Sequence, residues 1–345
     1  MTAQAQAPNV PRRPFPWGKL MAWTAMALLL FVTLFPFYWM LRTALTFPTS
    51  VFKDTSSLLP VDPTLLNFRR VLGLVPVQEV IALGGTGASI DFFLALRNSI
   101  IVSLLMVGGQ VVFCAMAAYA FARLRFPFRN QIFAIYIAAM MVPGIVMTIP
   151  NFILVRNLGW LNTFAGIIAP AFLMTPFAIF FLRQFFLGVN REVEEAALID
   201  GADVPVVFFR VVLPMTVPAV TTLAVITFIS SWNNYMWPLI VASDVKVRVL
   251  TVALGVFRSQ TPQGAPDWTG LMAATTLAII PTFILFLFAG RKVLELDPVL
   301  GLQIGGALGP PQACPRHLAV HSAGLPVLRP VLGSPRTAGS ESTIC

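Results

Sequence analysis

Charge is what this chain has least of. Asp, Glu, Lys and Arg make up 11% of its 345 residues, against about 25% in soluble globular domains, so an ordinary water-soluble fold is excluded. Histidine is scarcer still: His317 and His321 lie near the C-terminal end, and the residues before them hold none. The chain body thus lacks the commonest general base and metal ligand, and neither catalytic nor metal-binding residues are expected. Cys114, Cys314 and Cys345 are too few and too scattered for a disulfide framework or a metal cluster. No glycine-rich loop ends in Gly-Lys-Ser/Thr, so no cofactor is expected on this chain and ATP hydrolysis by it is excluded.

What is abundant is apolar. Hydrophobic residues reach 57%, with a mean hydropathy of +0.81. Six windows free of Asp, Glu, Lys and Arg run Leu20–Leu41, Asn98–Ala122, Asn130–Val155, Asn157–Leu182, Val211–Ser243 and Thr269–Gly290. The shortest holds 22 residues, enough at about 1.5 Å per residue to cross a hydrocarbon core of about 30 Å. The expectation is an all-α integral membrane protein with six transmembrane helices over residues 19–309. "RRPF" (Arg12–Phe15) resembles a twin-arginine export signal. The apolar run after it, however, exceeds the about 7–15 residues of a signal and ends in "PFYWML" (Pro36–Leu41), as a retained helix would. The net charge of +9 follows from basic residues that anchor membrane helices, so nucleic acid is not an expected partner. With the N-terminus inside, eleven Lys/Arg up to Lys292 fall on the cytoplasmic side and nine outside, a weak bias.

Residues 1–18 read as a polar, Pro-rich tail. A long external loop is expected over 43–94, partly folded and partly floppy, with Pro48, Pro60, Pro63 and "LGGTGAS" (Leu83–Ser89). "RLRFPFR" (Arg123–Arg129) makes a short basic turn. Pro143, Gly144 and Pro150 in the third window, and Pro170 and Pro176 in the fourth, predict bends or interruptions. Such breakers either mark moving helices or serve packing alone. A second external loop covers 243–268. Residues 310–345 turn rich in Pro, Ser, Arg and Gly without apolar periodicity, and read as a disordered or otherwise atypical tail.

The scarce acids are concentrated: Glu192, Glu194, Glu195, Asp200 and Asp203 fall within twelve positions of the polar segment 183–214. Asn190 suits an N-cap, with Glu192 and Glu194 in the first helical turn. Gly201 suits the left-handed position that ends a helix, Asp203 can cap a second one, and Pro214 limits it. The pattern predicts a two-helix elbow outside the membrane. Val193, Ala196 and Ala197 share one face at i, i+3, i+4, where the alanines let another surface come close.

This stretch, "EAALIDGADVPVVFFRVVLP" (Glu195–Pro214), resembles the EAA loop of permease subunits in ATP-binding-cassette (ABC) importers. Glu195, Ala196, Ala197, Gly201, Leu213 and Pro214 match in register, while Val211 stands at the family's Ile position. "FPFYWMLRTALT" (Phe35–Thr46), "AYAFARLRFPFR" (Ala118–Arg129), "ISSWNNYMWPLIV" (Ile229–Val241) and "GLQIGGALG" (Gly301–Gly309) are similar to the carbohydrate-uptake branch. The body from Leu20 to Gly309 resembles the maltose-type inner subunit of binding-protein-dependent transport systems. Residues 310–345 have no counterpart there, and residues around Leu74–Ala88 look like an extension of the first external loop.

The resemblance implies a type I ABC importer permease fold whose loop is a coupling helix docked on a cytoplasmic ATPase. Glu194, Glu195, Ala196, Ala197, Asp200, Gly201, Asp203, Leu213 and Pro214 would form that joint. Both termini would then be cytoplasmic, in a bacterial or archaeal cell membrane. Implied partners are a second permease subunit, two ATPase subunits that carry ATP and Mg, an external sugar-binding protein and the lipid bilayer. The chain would be the non-catalytic permease of an ATP-driven sugar importer, or of one for a polyol or glycerol phosphate. A stand-alone secondary transporter would need intramembrane acids or bases, which the six windows do not contain. In "WNNYMWPL" (Trp232–Leu239), Trp232, Asn233 and Asn234 are substrate-pathway candidates, since a ring covers a sugar's apolar face and amides bond its hydroxyls. An interfacial aromatic belt with amides bridging helices is the alternative reading. "VGGQ" (Val107–Gln110) lies within an apolar window and lacks the leading Ser of the ATPase signature.

Overall fold

A computed structural model describes residues 17–53, 57–84, 86–259 and 266–294. The N-terminal tail up to residue 16, "GLQIGGALG" and the tail over 310–345 lie outside the described residues. The described residues are helical, and their only extended pairing is an isolated bridge between Thr46 and Pro63.

Helix α1 (Trp17–Ala44) leads to a first loop that holds α2 (Leu66–Val71) and α3 (Val77–Ala82). The longest helix is α4 (Phe92–Arg123), followed by α5 (Arg129–Ala139), α6 (Thr148–Asn157), α7 (Phe164–Phe172) and α8 (Pro176–Gly188). The elbow is α9 (Arg191–Ile199), α10 (Val204–Val207), a π-helical turn over Phe208–Val212 and α11 (Leu213–Met215). Then come α12 (Val217–Trp232), α13 (Met236–Val241), α14 (Leu250–Leu254), α15 (Val256–Ser259) and α16 (Trp268–Leu294).

The six windows do not become six unbroken spans. Three helices, α1, α4 and Trp268–Gly290 of α16, are long and apolar enough to cross a membrane, or up to five if each bent pair counts as one span. The third window is interrupted at Met140–Met147, where Pro143 supplies no amide and Gly144 costs helix stability, so α5 stops and α6 restarts. The fourth window breaks between α7 and α8 with a bend of 45°. The cause is Pro176, which lacks the N–H a continuous helix would need and instead starts α8. The fifth stops α12 at Trp232, and Asn233, Asn234 and Tyr235 separate it from α13. Polarity marks where the chain can be apolar, whereas proline and asparagine decide where it can stay helical.

The break in the fourth window is repaired by α4. Gln110 Nε2 donates to Ala171 O at 2.9 Å, and Gln110 Oε1 accepts from Thr175 Oγ1 at 3.4 Å and Thr227 Oγ1 at 3.3 Å. A freed carbonyl in an apolar setting is costly, and Gln110 answers it from the neighbouring helix. Gly109 makes the approach possible: a Cβ there would lie 2.5 Å from Phe172 O. The "VGGQ" stretch is thus a helix-crossing point.

Three apolar clusters hold the body together. One gathers Tyr119, Ile179, Leu182, Phe186, Phe208 and Leu223 where α4, α8, α12 and the π turn meet. A second joins the first loop, α4, α12 and α16 through Val71, Phe92, Phe228, Trp232, Phe257 and Ala274. The third packs Val102, Val155, Ile167, Val241 and Val249. Helix α1 lies against α16 but is little covered: none of its apolar window is buried, and only Arg42, Thr43 and Ala44 at its end are.

The first loop is stitched down within its described residues. Asn67 Nδ2 donates to Ala44 O and Thr46 O, both at 2.8 Å. Arg70 Nη2 meets Asp267 Oδ2 at 2.7 Å, with both side chains 3% exposed. Asp267 also accepts from Thr86 Oγ1, from Thr269 Oγ1 at 3.1 Å and from Gly270 N at 2.9 Å. The described residues of this loop carry two short helices, and their anchor is the start of α16.

Candidate functional site

The elbow takes its shape from local chemistry. Asn190 caps α9, its Oδ1 accepting from Glu192 N at 3.1 Å. Glu192 and Glu194 occupy the first turn, where carboxylates face the positive end of the helix dipole. Gly201, at φ +87°, ends the helix, and Ala202 N returns to Ala197 O at 3.0 Å, the bond of a left-handed helix stop. Asp203 stands at the N-cap of α10 without making a side-chain cap bond. Pro205 opens α10. The π turn over Phe208–Val212 precedes Pro214, whose ring would clash with the carbonyl four residues back in a regular helix. The helix therefore passes Pro214 and stops at Thr216, two residues later than the proline alone implies.

The two faces of α9 differ. Glu192, Val193, Glu195, Ala196, Ile199 and Asp200 are exposed, Ile199 to 86%. Gly201, Asp203 and Pro214 are exposed as well, while Leu213 and Ala197 are half-buried against the α4–α8–α12 cluster. Glu194 turns the other way. Its Oε1 lies 2.8 Å from Arg123 Nε, with both side chains under a tenth exposed, and its Oε2 accepts from Tyr119 Oη at 3.4 Å. Arg123 Nη2 donates to Phe186 O at 2.7 Å and also to Val189 O. One guanidinium at the end of α4 therefore holds the end of α8 and the beginning of α9 together. Of the acids gathered in the elbow, Glu194 is the internal fastener and its neighbours are the outward surface. The sequence places Arg123 in a basic turn. The available signal was its position four residues after Tyr119, which puts both on one face of α4.

The pathway candidates divide. Trp232 is buried, stacked on Phe228 with centroids 5.6 Å apart, and its Nε1 donates to Ala278 O at 3.3 Å. Asn233 is exposed and its Nδ2 returns to Ile229 O at 3.0 Å, closing the end of α12. Asn234 lines a cavity of about 20 Å³ with Ser99, Val102, Met106 and Ser231, too small for a sugar ring. Trp237 Nε1 is spent on Gly166 O and Ile167 O at 3.2 and 3.1 Å. The second loop is gripped by α4: Asn98 Nδ2 donates to Lys246 O at 2.9 Å and Arg248 O at 3.0 Å, and Ser99 Oγ accepts from Leu250 N at 2.7 Å. No group of acids, histidines or cysteines able to hold a metal occurs among the described residues.

The profile of the binding-protein-dependent transport system inner membrane component family matches residues 110–294. The sn-glycerol-3-phosphate transport system permease protein UgpE of Salmonella typhi is 33% identical over 78% of this chain and 92% of its own. The arabinooligosaccharides transport system permease protein AraQ of Bacillus subtilis is 31% identical over 80% of this chain and 91% of its own. Its counterpart from Halalkalibacterium halodurans is 34% identical over 61% and 73%. In fold, the chain is similar to a chain in the crystal structure of a bacterial ABC transporter involved in the import of the acidic polysaccharide alginate. That match has a TM-score of 0.67 and 22% identity, over 83% of this chain and 99% of the other.

Proposed function

From the binding-protein-dependent transport system inner membrane component family, to which this chain belongs, we infer its role. It is the membrane permease of an ABC importer for a carbohydrate, and it contributes part of the translocation path. Permeases of this family are non-catalytic, and the transport system supplies ATPase and binding-protein partners. The proposed assembly pairs the chain with a second permease, two cytoplasmic ATPase subunits and an external sugar-binding protein in a bacterial membrane. The proposed topology has six crossings: α1, α4, α5 with α6, α7 with α8, α12 with α13, and α16. Both termini and the elbow are then cytoplasmic.

The observation that carries the reading is the two-faced elbow. Outward, Glu195, Ala196, Ile199, Asp200 and Asp203 offer an acidic and small-residue surface for the ATPase. Inward, Glu194 is fixed to Arg123, so a push on α9 reaches α4 without a flexible joint. Asn233 and Asn234 remain the proposed pathway contacts, with Trp232 the packed wall behind them. The relatives' names support either an oligosaccharide or a glycerol phosphate as cargo. The absence of Asp, Glu, Lys and Arg from the six apolar windows favours a neutral sugar. Co-purification of the cognate ATPase with the chain and with Ile199→Arg tests the docking face. Ile199→Arg should abolish recovery of the ATPase while membrane insertion is unchanged, and full recovery together with normal sugar uptake would sink the reading.

A further inference from the structure

One basic cluster on the described surface has no acid to answer it. A concavity of about 510 Å³ is lined by Arg125, Arg129 and Arg191 with Asn130, Gln131 and Phe128. None of the three arginines enters an ion pair among the described residues. Of the acids near Arg191 in sequence, Glu194 is engaged with Arg123 and Glu192 Oε2 with Asn190 Nδ2 at 3.2 Å, and exposed Glu195 forms no ion pair with Arg191. Arg129 Nη1 donates to Leu124 O at 3.1 Å, which leaves the rest of its donor fork for something else. The concavity also borders the first turn of α5, which has no acid and whose N-cap, Phe128, makes no side-chain cap bond. The helix dipole adds further positive potential there.

The surface beside the arginines narrows the class of anion. Phe128, Ile132, Ile135 and Ala139 follow one another along α5 at i, i+4, i+7, i+11, and all are exposed, Phe128 to 72% and Ile135 to 68%. A cationic hollow that opens onto an apolar helix stripe matches a molecule with an anionic head and a hydrocarbon tail. We propose that this concavity seats the phosphate of an anionic membrane phospholipid, whose acyl chain lies along α5. Arginine forks fit phosphate oxygens in two-pronged geometry, and basic pockets at the ends of membrane helices take such headgroups. A free phosphate would satisfy the arginines but make no use of the stripe. An acidic protein surface would likewise leave Ile132 and Ile135 idle. The inference needs only that the chain sits in a bilayer, and is independent of cargo and of ATPase docking.

The test uses the purified full-length chain in neutral detergent, with bound molecules counted by native mass spectrometry. The probes are dioleoyl phosphatidylglycerol, dioleoyl phosphatidylcholine and inorganic phosphate. Phosphatidylglycerol should be retained about tenfold over phosphatidylcholine, and Arg125→Gln and Arg129→Gln should each lower that retention about fivefold. Arg125→Lys and Arg129→Lys, which keep the charge but not the fork, should fall between the parent and the Gln variants, which separates lost charge from lost fold. Equal retention of the two lipids, or unchanged retention in the triple Gln variant with Arg191→Gln, would overturn the proposal. Displacement by millimolar inorganic phosphate would make this a free-anion site and overturn it too. So would loss of ATPase co-purification in the Gln variants with lipid retention intact, since the arginines would then serve protein docking.

Discussion

Arg123 Nε and Glu194 Oε1 meet at 2.8 Å beneath the elbow, so a long membrane helix and a short surface helix share one buried charge pair. Glu194→Ala would leave the guanidinium buried without its counterion, at a cost of about 3–5 kcal/mol. We predict a clear drop in thermal stability in detergent for Glu194→Ala, and a much smaller one for Arg123→Met combined with Glu194→Leu. The double variant should nonetheless transport poorly, because the surviving contacts no longer fix the orientation of α9. A Glu194→Ala protein as stable as the parent would refute the assignment.

Gly201 isolates backbone strain from crowding. Its φ is +87° and an added Cβ would meet nothing within 4 Å, so a substitution there acts through conformation alone. Gly201→Val should cost about 1–2 kcal/mol at the corner and misdirect α10. Uptake and ATPase co-purification should both fall, with Gly201→Asn closer to the parent because Asn tolerates the left-handed region. Equal activity of the Val and Asn variants would argue against a strained corner.

The legible parts of the fold were those set by local rules. Asn190, Glu192 and Gly201 announce the ends of α9 in the sequence itself, and Pro143 with Gly144 announces the gap between α5 and α6. What stayed hidden depends on meetings between distant segments. Nothing near Glu194 distinguishes it from Glu195, yet one faces inward and the other outward, and only the position of Arg123 decides which. Gln110 reads as a stray polar residue until the carbonyl of Ala171 arrives beside it. Trp232 reads equally as sugar platform or as packing, and its partner Ala278 lies in the last helix.

The Gln110 junction yields its own test. Gln110→Leu removes the donor to Ala171 O and the acceptor for Thr175 and Thr227, leaving polar groups unanswered at about 1–3 kcal/mol. Gly109→Ala should be comparably harmful by forcing α4 away from Phe172, a cost of about 1–3 kcal/mol for overpacking. Midpoints of thermal unfolding in detergent would read both, and parent-like values would show that the crossing adapts.

Asp267 should matter for the first loop rather than for insertion. Asp267→Ala strands Arg70, whose side chain is 3% exposed, at about 3–5 kcal/mol. Limited proteolysis in right-side-out vesicles should then cut residues 57–84 much faster, while Asp267→Asn, which keeps acceptors for Thr269 and Gly270, should be intermediate. Unchanged protection in Asp267→Ala would show that the loop is held elsewhere.

Trp232→Phe separates packing from a sugar contact. It keeps a ring against Phe228 and loses only the bond to Ala278 O, a change of about 0.5–1.5 kcal/mol. Uptake should survive with its substrate preference unchanged. A large rise in apparent KM at normal protein levels would place the indole in the path instead.

Helix α4 spans 32 residues, about 48 Å at about 1.5 Å per residue, and its ends and middle are each committed. Arg123 grips the elbow at one end, Asn98 grips the Lys246–Arg248 turn of the second loop towards the other, and Gly109 rests on Phe172 near the midpoint. We predict that a rod held in this way pivots at its crossing, so that displacement at the elbow emerges at the far loop with reversed sign and similar size. Spin labels at Glu195 and Lys246, followed through a nucleotide cycle, should move in opposite senses relative to a label at the fulcrum.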